Sequence, residues 1–128
     1  MTLLLDTHVL LWILGAPERL SVEAAEAITA PDNIVLLSVA SVWELAIKQS
    51  LGKLTLPGPV ETWLRPELDR RSIELLPVLF EHAAAVRGLP QHHSDPFDRL
   101  LVAQVRDGIR LVTHDQRMAA YDVPILWT

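Results

Sequence analysis

The sequence contains no cysteine, and it lacks several other features that would identify a familiar class of binding site. Without cysteine the 128-residue chain has no disulfide bond, no thiolate metal site and no thiol nucleophile. Its five glycines form neither a G-x-G-x-x-G nor a G-K-[ST] motif, so the usual phosphate-binding loops of nucleotide-dependent enzymes are missing. Any chemistry must therefore come from oxygen and nitrogen side chains.

Long hydrophobic runs and excess positive charge are also missing. No apolar run approaches the length of a membrane span, and the N-terminus lacks the basic segment of a signal peptide. We therefore expect a cytoplasmic protein without membrane association. The formal net charge of −5 is not the basic balance of a typical nucleic-acid-binding surface. A polyanion can still bind such a chain where cations neutralise clustered acids.

Short apolar runs alternate with helical patterns along the chain, which has the length of one domain spanning residues 1–128. Buried strands are predicted at residues 3–5, 34–37, 73–76, 110–113 and 123–127. Helices are predicted at residues 9–14, 22–30, 39–51, 60–71, 79–88, 100–105 and 116–121. We expect a bend or break in the fourth helix at Pro66. This alternation predicts an α/β fold, a three-layer α/β/α sandwich with a mostly parallel central sheet.

Five acidic residues lie after predicted strands or on the helices next to them. Asp6 ends the first strand, and Glu44 lies on the helix after the second. Asp95 and Asp98 flank the start of the helix before the fourth strand, and Asp115 lies two residues beyond that strand. We expect these acids to meet at the carboxyl edge of the sheet. Clustered carboxylates repel one another unless a cation offsets their charge, and oxygen ligands favour Mg²⁺ or Mn²⁺.

Each of these acids also has a structural explanation. An aspartate is a favoured N-cap residue, because its carboxylate accepts hydrogen bonds from the first turn of a helix. This explanation applies to Asp6, Asp95 and Asp115. Asp98 would then lie in a first turn, where the helix dipole favours an anion. Residues 41–44 match the S-x-x-E capping box, so Glu44 could cap a helix that begins at Val42.

Four segments together resemble a known family. They are Asp6-Thr-His-Val-Leu-Leu-Trp12, Ser38-x-x-Ser41-x-x-Glu44, His93-Ser-Asp-Pro-Phe-Asp-Arg99-Leu-Leu-Val-Ala103 and Thr113-His-Asp115. In this order and spacing they resemble the PIN-domain family, of the kind found as VapC toxins of bacterial toxin–antitoxin pairs. The resemblance covers essentially the whole chain. His114 departs from it, because many relatives carry a small residue or Asn at this position.

The resemblance implies a Mg²⁺- or Mn²⁺-dependent endoribonuclease that hydrolyses RNA phosphodiester bonds with a metal-activated water. It implies Asp6, Glu44 and Asp98 as the main metal-site carboxylates and Asp115 as the fourth. Asp95 would assist Asp98 or replace it. The expected partners are an RNA substrate, a cognate antitoxin protein and a second copy of the chain in a homodimer. Supporting roles are expected for Thr113, Thr7, Ser38 and Arg99.

Several residues near these acids in the sequence have two possible roles. His8 could form a structural hydrogen bond or contact substrate. His92 and His93 lie in a polar loop, where they could ligate zinc or, more commonly for such residues, be solvated or cap a helix. Arg99 could hold a phosphate or pair with a carboxylate, and we expect the ion pair.

Two other classes of function compete with a nuclease. A binding module with a degenerate acidic edge would act through a protein partner, but all four expected acidic positions are filled. A phosphoacceptor domain would need a lysine near the end of the last strand, and no lysine follows Lys53. Both alternatives are therefore less favoured than metal-dependent hydrolysis.

Overall fold

A parallel sheet of five strands forms the centre of the described part of the chain. The structure is a computed structural model, and it describes residues 1–105 and 108–128. The strands are β1 (Thr2–Leu5), β2 (Ile34–Ser38), β3 (Ile73–Leu76), β4 (Ile109–Thr113) and β5 (Ile125–Trp127). They lie in the order β3-β2-β1-β4-β5, and every neighbouring pair is parallel. This sheet agrees with the predicted α/β sandwich.

Within the described ranges, six α-helices connect these strands. They are α1 (Thr7–Gly15), α2 (Val22–Thr29), α3 (Val39–Ser50), α4 (Val60–Arg70), α5 (Phe80–Ala85) and α6 (Pro96–Gln104). Short 3₁₀ helices cover Pro17–Arg19, Val86–Gly88 and Gln116–Ala120. The predicted helix over 79–88 is thus α5 followed by a 3₁₀ turn. In the described residues, we find no helix with the length and apolar character needed to traverse a membrane.

Both faces of the sheet are covered, which explains the continuous apolar run of the first strand. Alternate residues of a strand point to opposite faces. Leu3 and Leu5 pack into one core, and Leu4 packs into the other. The first core also contains buried residues of α1 to α4, including Val9, Ala24, Leu45 and Leu64. The second contains α6 and the last 3₁₀ helix, including Leu101, Val102 and Met118.

Helix α4 continues through Pro66, so the predicted break is wrong. Proline removes one backbone donor from a helix. Pro66 and Thr62, the residue whose carbonyl would accept that hydrogen bond, both lie on the exposed side of α4. Water can therefore satisfy the carbonyl. On the opposite side Val60, Leu64 and Leu68 form a buried stripe, and this packing holds the helix against the first core.

Helix α3 begins three residues earlier than the capping-box interpretation requires. Its N-cap is Ser38, whose Oγ accepts a hydrogen bond from the backbone N–H of Ala40 at 3.0 Å. Ser41 and Glu44 therefore lie inside the helix. The predicted helix over 39–51 is confirmed, and the capping-box alternative with a start at Val42 is wrong. The Glu44 carboxylate is not a cap, and its hydrogen bonds must be explained by tertiary contacts.

The packing of α3 on the sheet predicts a large effect of truncating Leu45, which is fully buried in the first core. We expect Leu45→Ala to lower the free energy of unfolding by about 2–5 kcal/mol, because it removes buried methyl groups and leaves a cavity. Urea denaturation would measure the change.

Leu51→Ala is the matched control, since Leu51 directly follows the same helix and is 61% exposed. We expect it to change the free energy of unfolding by less than about 0.5 kcal/mol. Equal losses for the two substitutions would contradict this account of the core.

Candidate active site

A polar pocket of about 240 Å³ opens at the carboxyl end of the sheet. All five acids predicted from separate segments line it: Asp6, Glu44, Asp95, Asp98 and Asp115. Lys48 and Arg117 line the same pocket. A larger cavity of about 650 Å³, lined in part by Ile13, Ile28 and Ile73, contains none of these seven side chains. The chemistry-bearing residues are therefore concentrated in the smaller pocket.

Asp6 lies between β1 and α1 and forms hydrogen bonds through both its backbone and its side chain. Its backbone N–H donates to the carbonyl of Val112 at 2.9 Å, which fixes the end of β1 beside the end of β4. Its Oδ1 accepts from the backbone N–H of His8 at 3.1 Å, as an N-cap does. Its Oδ2 accepts from the Thr113 hydroxyl at 2.7 Å. Burial raises the pKa of Asp6, and these hydrogen bonds partly oppose that rise.

Two buried threonines connect the segments of the site. Thr113 Oγ1 donates to Asp6 and also accepts from the backbone N–H of Asp115 at 3.0 Å. Thr7 Oγ1 lies 2.8 Å from both Ser41 Oγ and Glu44 Oε1. An ionised carboxylate can only accept, so Thr7 donates to Glu44. These hydroxyls hold the carboxylates of Asp6 and Glu44 and the backbone of Asp115 in one arrangement.

Glu44 is 5% exposed and is bound through both oxygens. Oε1 accepts from Thr7, and Oε2 lies 2.6 Å from Nζ of Lys48, one helical turn further along α3. The hydrogen bond to Glu44 raises the pKa of Lys48, so this lysine remains a cation. The pocket thus contains one buried acid that is already neutralised by a lysine.

Asp95 and Asp98 mark the start of α6. Asp95 is the N-cap of α6, and Pro96 is its first residue. This confirms the predicted capping role of Asp95, and Asp98 lies in the first turn as predicted. Its Oδ1 accepts from the backbone N–H groups of Phe97 at 2.9 Å and Asp98 at 3.2 Å. Burial raises the pKa of Asp98 to about 8, with further contributions from four negative side chains: Asp6, Asp95, Glu44 and Asp115. Asp98 is the acid on which the mutual repulsion is concentrated.

Asp115 caps the last 3₁₀ helix and is held by Arg117 and His93. Oδ1 accepts from the backbone N–H and Nε of Arg117, and Oδ2 accepts from its Nη2, each at 3.0 Å. His93 Nε2 lies 2.9 Å from Oδ2. Burial opposes ionisation of Asp115, but the hydrogen bonds from Arg117 and His93 outweigh it and lower the pKa to about 2.

His93 is the site residue that sequence reasoning left undecided. It is 5% exposed, and one ligand atom from each of His93, Asp98 and Asp115 lies within 4.8 Å of the others. The neighbouring His92 is exposed and packs edge-on against Tyr121 instead. Two adjacent histidines in a polar loop gave no signal as to which one turns inward.

Arg99 does not form the predicted ion pair with any carboxylate of residues 1–105 and 108–128. Its buried guanidinium donates to the carbonyls of Pro90 at 2.9 Å and Val86 at 3.0 Å, and it lies 3.4 Å from the hydroxyl of Tyr121. Its function is to hold the segment before α6 in place. The predicted supporting residue Ser38 likewise acts only as the cap of α3 in its described contacts.

His8, Trp12 and His114 form the rest of the pocket lining. The rings of Trp12 and His114 lie 5.2 Å apart at a tilt of 59°. His114, the departure from the family pattern, thus packs at the rim and leaves the neighbouring Asp115 inside the pocket.

The donor set fits a divalent cation. Five acids line the pocket, and two of them already have a cationic partner in Lys48 or Arg117. Carboxylate oxygens are the ligands that Mg²⁺ and Mn²⁺ prefer, and a bound cation would offset the burial and the neighbouring negative charges that raise the pKa of Asp98.

Comparison with known proteins identifies the family of the chain. A model of the PIN domain family matches residues 3–124. The chain is 35% identical over 126 residues to Ribonuclease VapC22 of Mycobacterium tuberculosis, covering 96% of this chain and 94% of that protein.

Two solved structures share the fold. The crystal structure of VapBC2 from Rickettsia felis bound to a promoter DNA fragment has a TM-score of 0.70 and 16% identity, covering 99% of this chain and 98% of that one. VapBC-1 from nontypeable Haemophilus influenzae has a TM-score of 0.62 and 19% identity, covering 98% and 97%. These identities are low, so the likeness confirms the predicted sandwich fold alone.

The raised pKa of Asp98 predicts that the metal-free protein loses stability as the pH rises. In the unfolded chain an aspartate has a pKa of about 4, whereas the pKa of folded Asp98 is about 8. Between these values the unfolded state binds fewer protons than the folded state, so the free energy of unfolding falls with increasing pH. Urea denaturation in the presence of a chelator, from pH 5 to 8, would measure the fall.

Asp98→Asn should flatten this dependence, since the amide does not titrate. Asp32→Asn, which changes an exposed acid outside the pocket, should retain the wild-type slope. An Asp98→Asn variant with the full wild-type slope would show that another group is responsible.

Proposed function

The chain belongs to the PIN-domain family, and on that premise we propose that it is a Mg²⁺- or Mn²⁺-dependent endoribonuclease toxin of a toxin–antitoxin pair. Residues 1–128 would act as one PIN-like domain. The observation that carries the proposal is the convergence of five acids in one pocket, with the pKa of Asp98 raised to about 8. The relative at 35% identity is named a ribonuclease, which supports RNA as the substrate.

Asp6, Glu44 and Asp98 would hold the cation, Asp115 would complete the site, and Asp95 would assist from the N-cap of α6. A divalent cation in such a site lowers the pKa of water and offsets negative charge on a phosphodiester. Thr113 and Thr7 keep the carboxylates of Asp6 and Glu44 oriented through hydrogen bonds of 2.7 and 2.8 Å.

The cationic side chains at the pocket support binding of a polyanion. Lys48 and Arg117 are 40% and 64% exposed, so both can approach a phosphate group from solvent. Trp12 and His114 offer ring surfaces beside them, and aromatic stacking is a common way to hold an unpaired RNA base. We propose that these four residues hold the RNA strand over the acids.

The proposal extends to partners. Two structures with this fold are named VapBC2 and VapBC-1, which supports a cognate antitoxin as the regulatory partner. We also propose a homodimer, as the family resemblance implies. The enzyme would work in the cytoplasm, where cellular RNA is available.

Replacing Asp6 tests the assignment directly. We expect Asp6→Asn to reduce RNA cleavage by about a hundredfold or more, because it removes a negative ligand from the site. The Asn side chain keeps an oxygen that can accept the cap hydrogen bond from His8, so the fold should persist. Cleavage of structured RNAs would be measured with Mg²⁺ or Mn²⁺, and circular dichroism would check the fold.

Asp32→Asn is the control, since it makes the same chemical change at an exposed position. It should cleave like the wild type, and a chelator should stop both. Full cleavage by a folded Asp6→Asn variant would refute the assignment.

Metal binding by itself separates a nuclease from a degenerate binding module. We expect Mn²⁺ to raise the melting temperature, because a ligand present at a hundredfold excess over its Kd stabilises the folded state by about 2.7 kcal/mol. Asp6→Asn and Glu44→Gln should reduce the shift, whereas Asp32→Asn should not. If Mn²⁺ does not change the melting temperature of the wild-type protein, the binding-module alternative would be favoured.

A further inference from the structure

His93 occupies a buried position between two of the acids. It lies in the loop between the 3₁₀ helix at Val86–Gly88 and α6, and it is 5% exposed. A buried imidazole needs partners for both ring nitrogens. The identity of those partners determines which nitrogen carries the proton.

The proton of His93 is assigned by a backbone contact. Nδ1 lies 3.1 Å from the backbone nitrogen of Asp95, which can only donate. Nδ1 is therefore the acceptor and carries no hydrogen. The ring is neutral, and its single N–H is on Nε2.

Nε2 faces the carboxylates of two different segments. It lies 2.9 Å from Oδ2 of Asp115, to which it donates, and 3.0 Å from Oδ2 of Asp98. Asp98 belongs to α6 and Asp115 follows β4, so one N–H brings together acids from two elements. Because the ring is also anchored through Asp95, the position of this donor is fixed relative to α6.

We infer that His93 is a positioning residue, which holds Asp98 and Asp115 together through its Nε2–H and does not itself ligate the cation. This inference rests on the proposed metal-dependent function and concerns which groups prepare the site. A hydrogen-bonding partner of this kind commonly changes metal affinity by about 10–100-fold when it is removed.

Direct ligation by His93 is the competing interpretation, because its ligand atom lies within 4.8 Å of those of Asp98 and Asp115. Ligation through Nε2 would require a free lone pair on that nitrogen, which moves the proton of a neutral ring to Nδ1. An N–H at Nδ1 would then face the N–H of Asp95, and that partly buried donor would lose its acceptor. The contact with Asp95 therefore opposes ligation through Nε2.

Nitrogen NMR of ¹⁵N-histidine-labelled wild-type protein tests the tautomer. We expect His93 Nδ1 to show the shift of an unprotonated nitrogen and Nε2 that of a protonated one. Both shifts should keep this character when Mg²⁺ is added. Loss of the Nε2 proton on Mg²⁺ binding, or a proton on Nδ1 without metal, would overturn the inference.

Two substitutions separate the effect of the Nε2–H donor of His93 from that of its Nδ1 contact with the backbone of Asp95. His93→Asn places an amide oxygen near the position of Nδ1, so it can keep the bond from Asp95 while the donor to the carboxylates is lost. His93→Gln can place an amide N–H near the position of Nε2 and keep that donor. We expect Mn²⁺ affinity, measured by calorimetry, to fall about tenfold or more in His93→Asn and to stay near the wild-type value in His93→Gln.

Wild-type affinity in His93→Asn would overturn the inference, because the donor would then be dispensable. Equal losses in both variants would overturn it too, since ligation by the imidazole would explain them better. The NMR and calorimetry measurements on His93 need no RNA. Wild-type protein that binds Mn²⁺ but leaves RNA intact would contradict the proposed nuclease and would leave the role of His93 to be judged by its own measurements.

Discussion

Repulsion among five carboxylates at one end of a parallel sheet is the constraint on which the other features of the site depend. Burial raises the pKa of Asp6, and burial with neighbouring negative charges raises that of Asp98 to about 8. Local contacts reduce the free-energy cost of ionising these buried acids. Asp6, Asp95 and Asp98 lie at helix N-termini, where the helix dipole favours an ionised carboxylate by about 0.3–1 kcal/mol. Thr113 and Thr7 add hydrogen bonds to the ionised oxygens.

Capping and site formation are combined in the same side chains. Asp6 uses Oδ1 to accept from the first turn of α1 and Oδ2 to accept from Thr113 beside the pocket. Asp115 caps the last 3₁₀ helix and also contacts His93 through Oδ2. The structural and chemical explanations of these acids, which compete when the sequence is considered alone, are therefore compatible. A carboxylate has two oxygens, and each can serve a different neighbour.

Asp6 and Asp115 could be predicted because they lie next to strand ends, where a parallel sheet determines which segments meet. Glu44, Asp95 and Asp98 could be predicted because the alternation of strands and helices places their helices at the same edge. The long side chains could not be predicted in the same way. Arg99 follows Asp98 directly, but consecutive helical residues point about 100° apart, so the two side chains leave α6 in different directions. Asp98 faces the pocket, whereas Arg99 turns to the carbonyls of residues 86–90. The tautomer of His93 depends on one backbone contact, which no local pattern encodes.

Asp98 and Asp115 show how far the tertiary environment separates chemically identical groups. Both lie within 3.0 Å of the same His93 nitrogen, yet their pKa values are about 8 and about 2. The difference follows from the cations supplied by the chain. Arg117 neutralises Asp115, and Lys48 neutralises Glu44. No such cation contacts Asp98 among the described residues, so burial and the neighbouring acids favour its protonated form. An added cation would therefore have its largest effect on ionisation at Asp98.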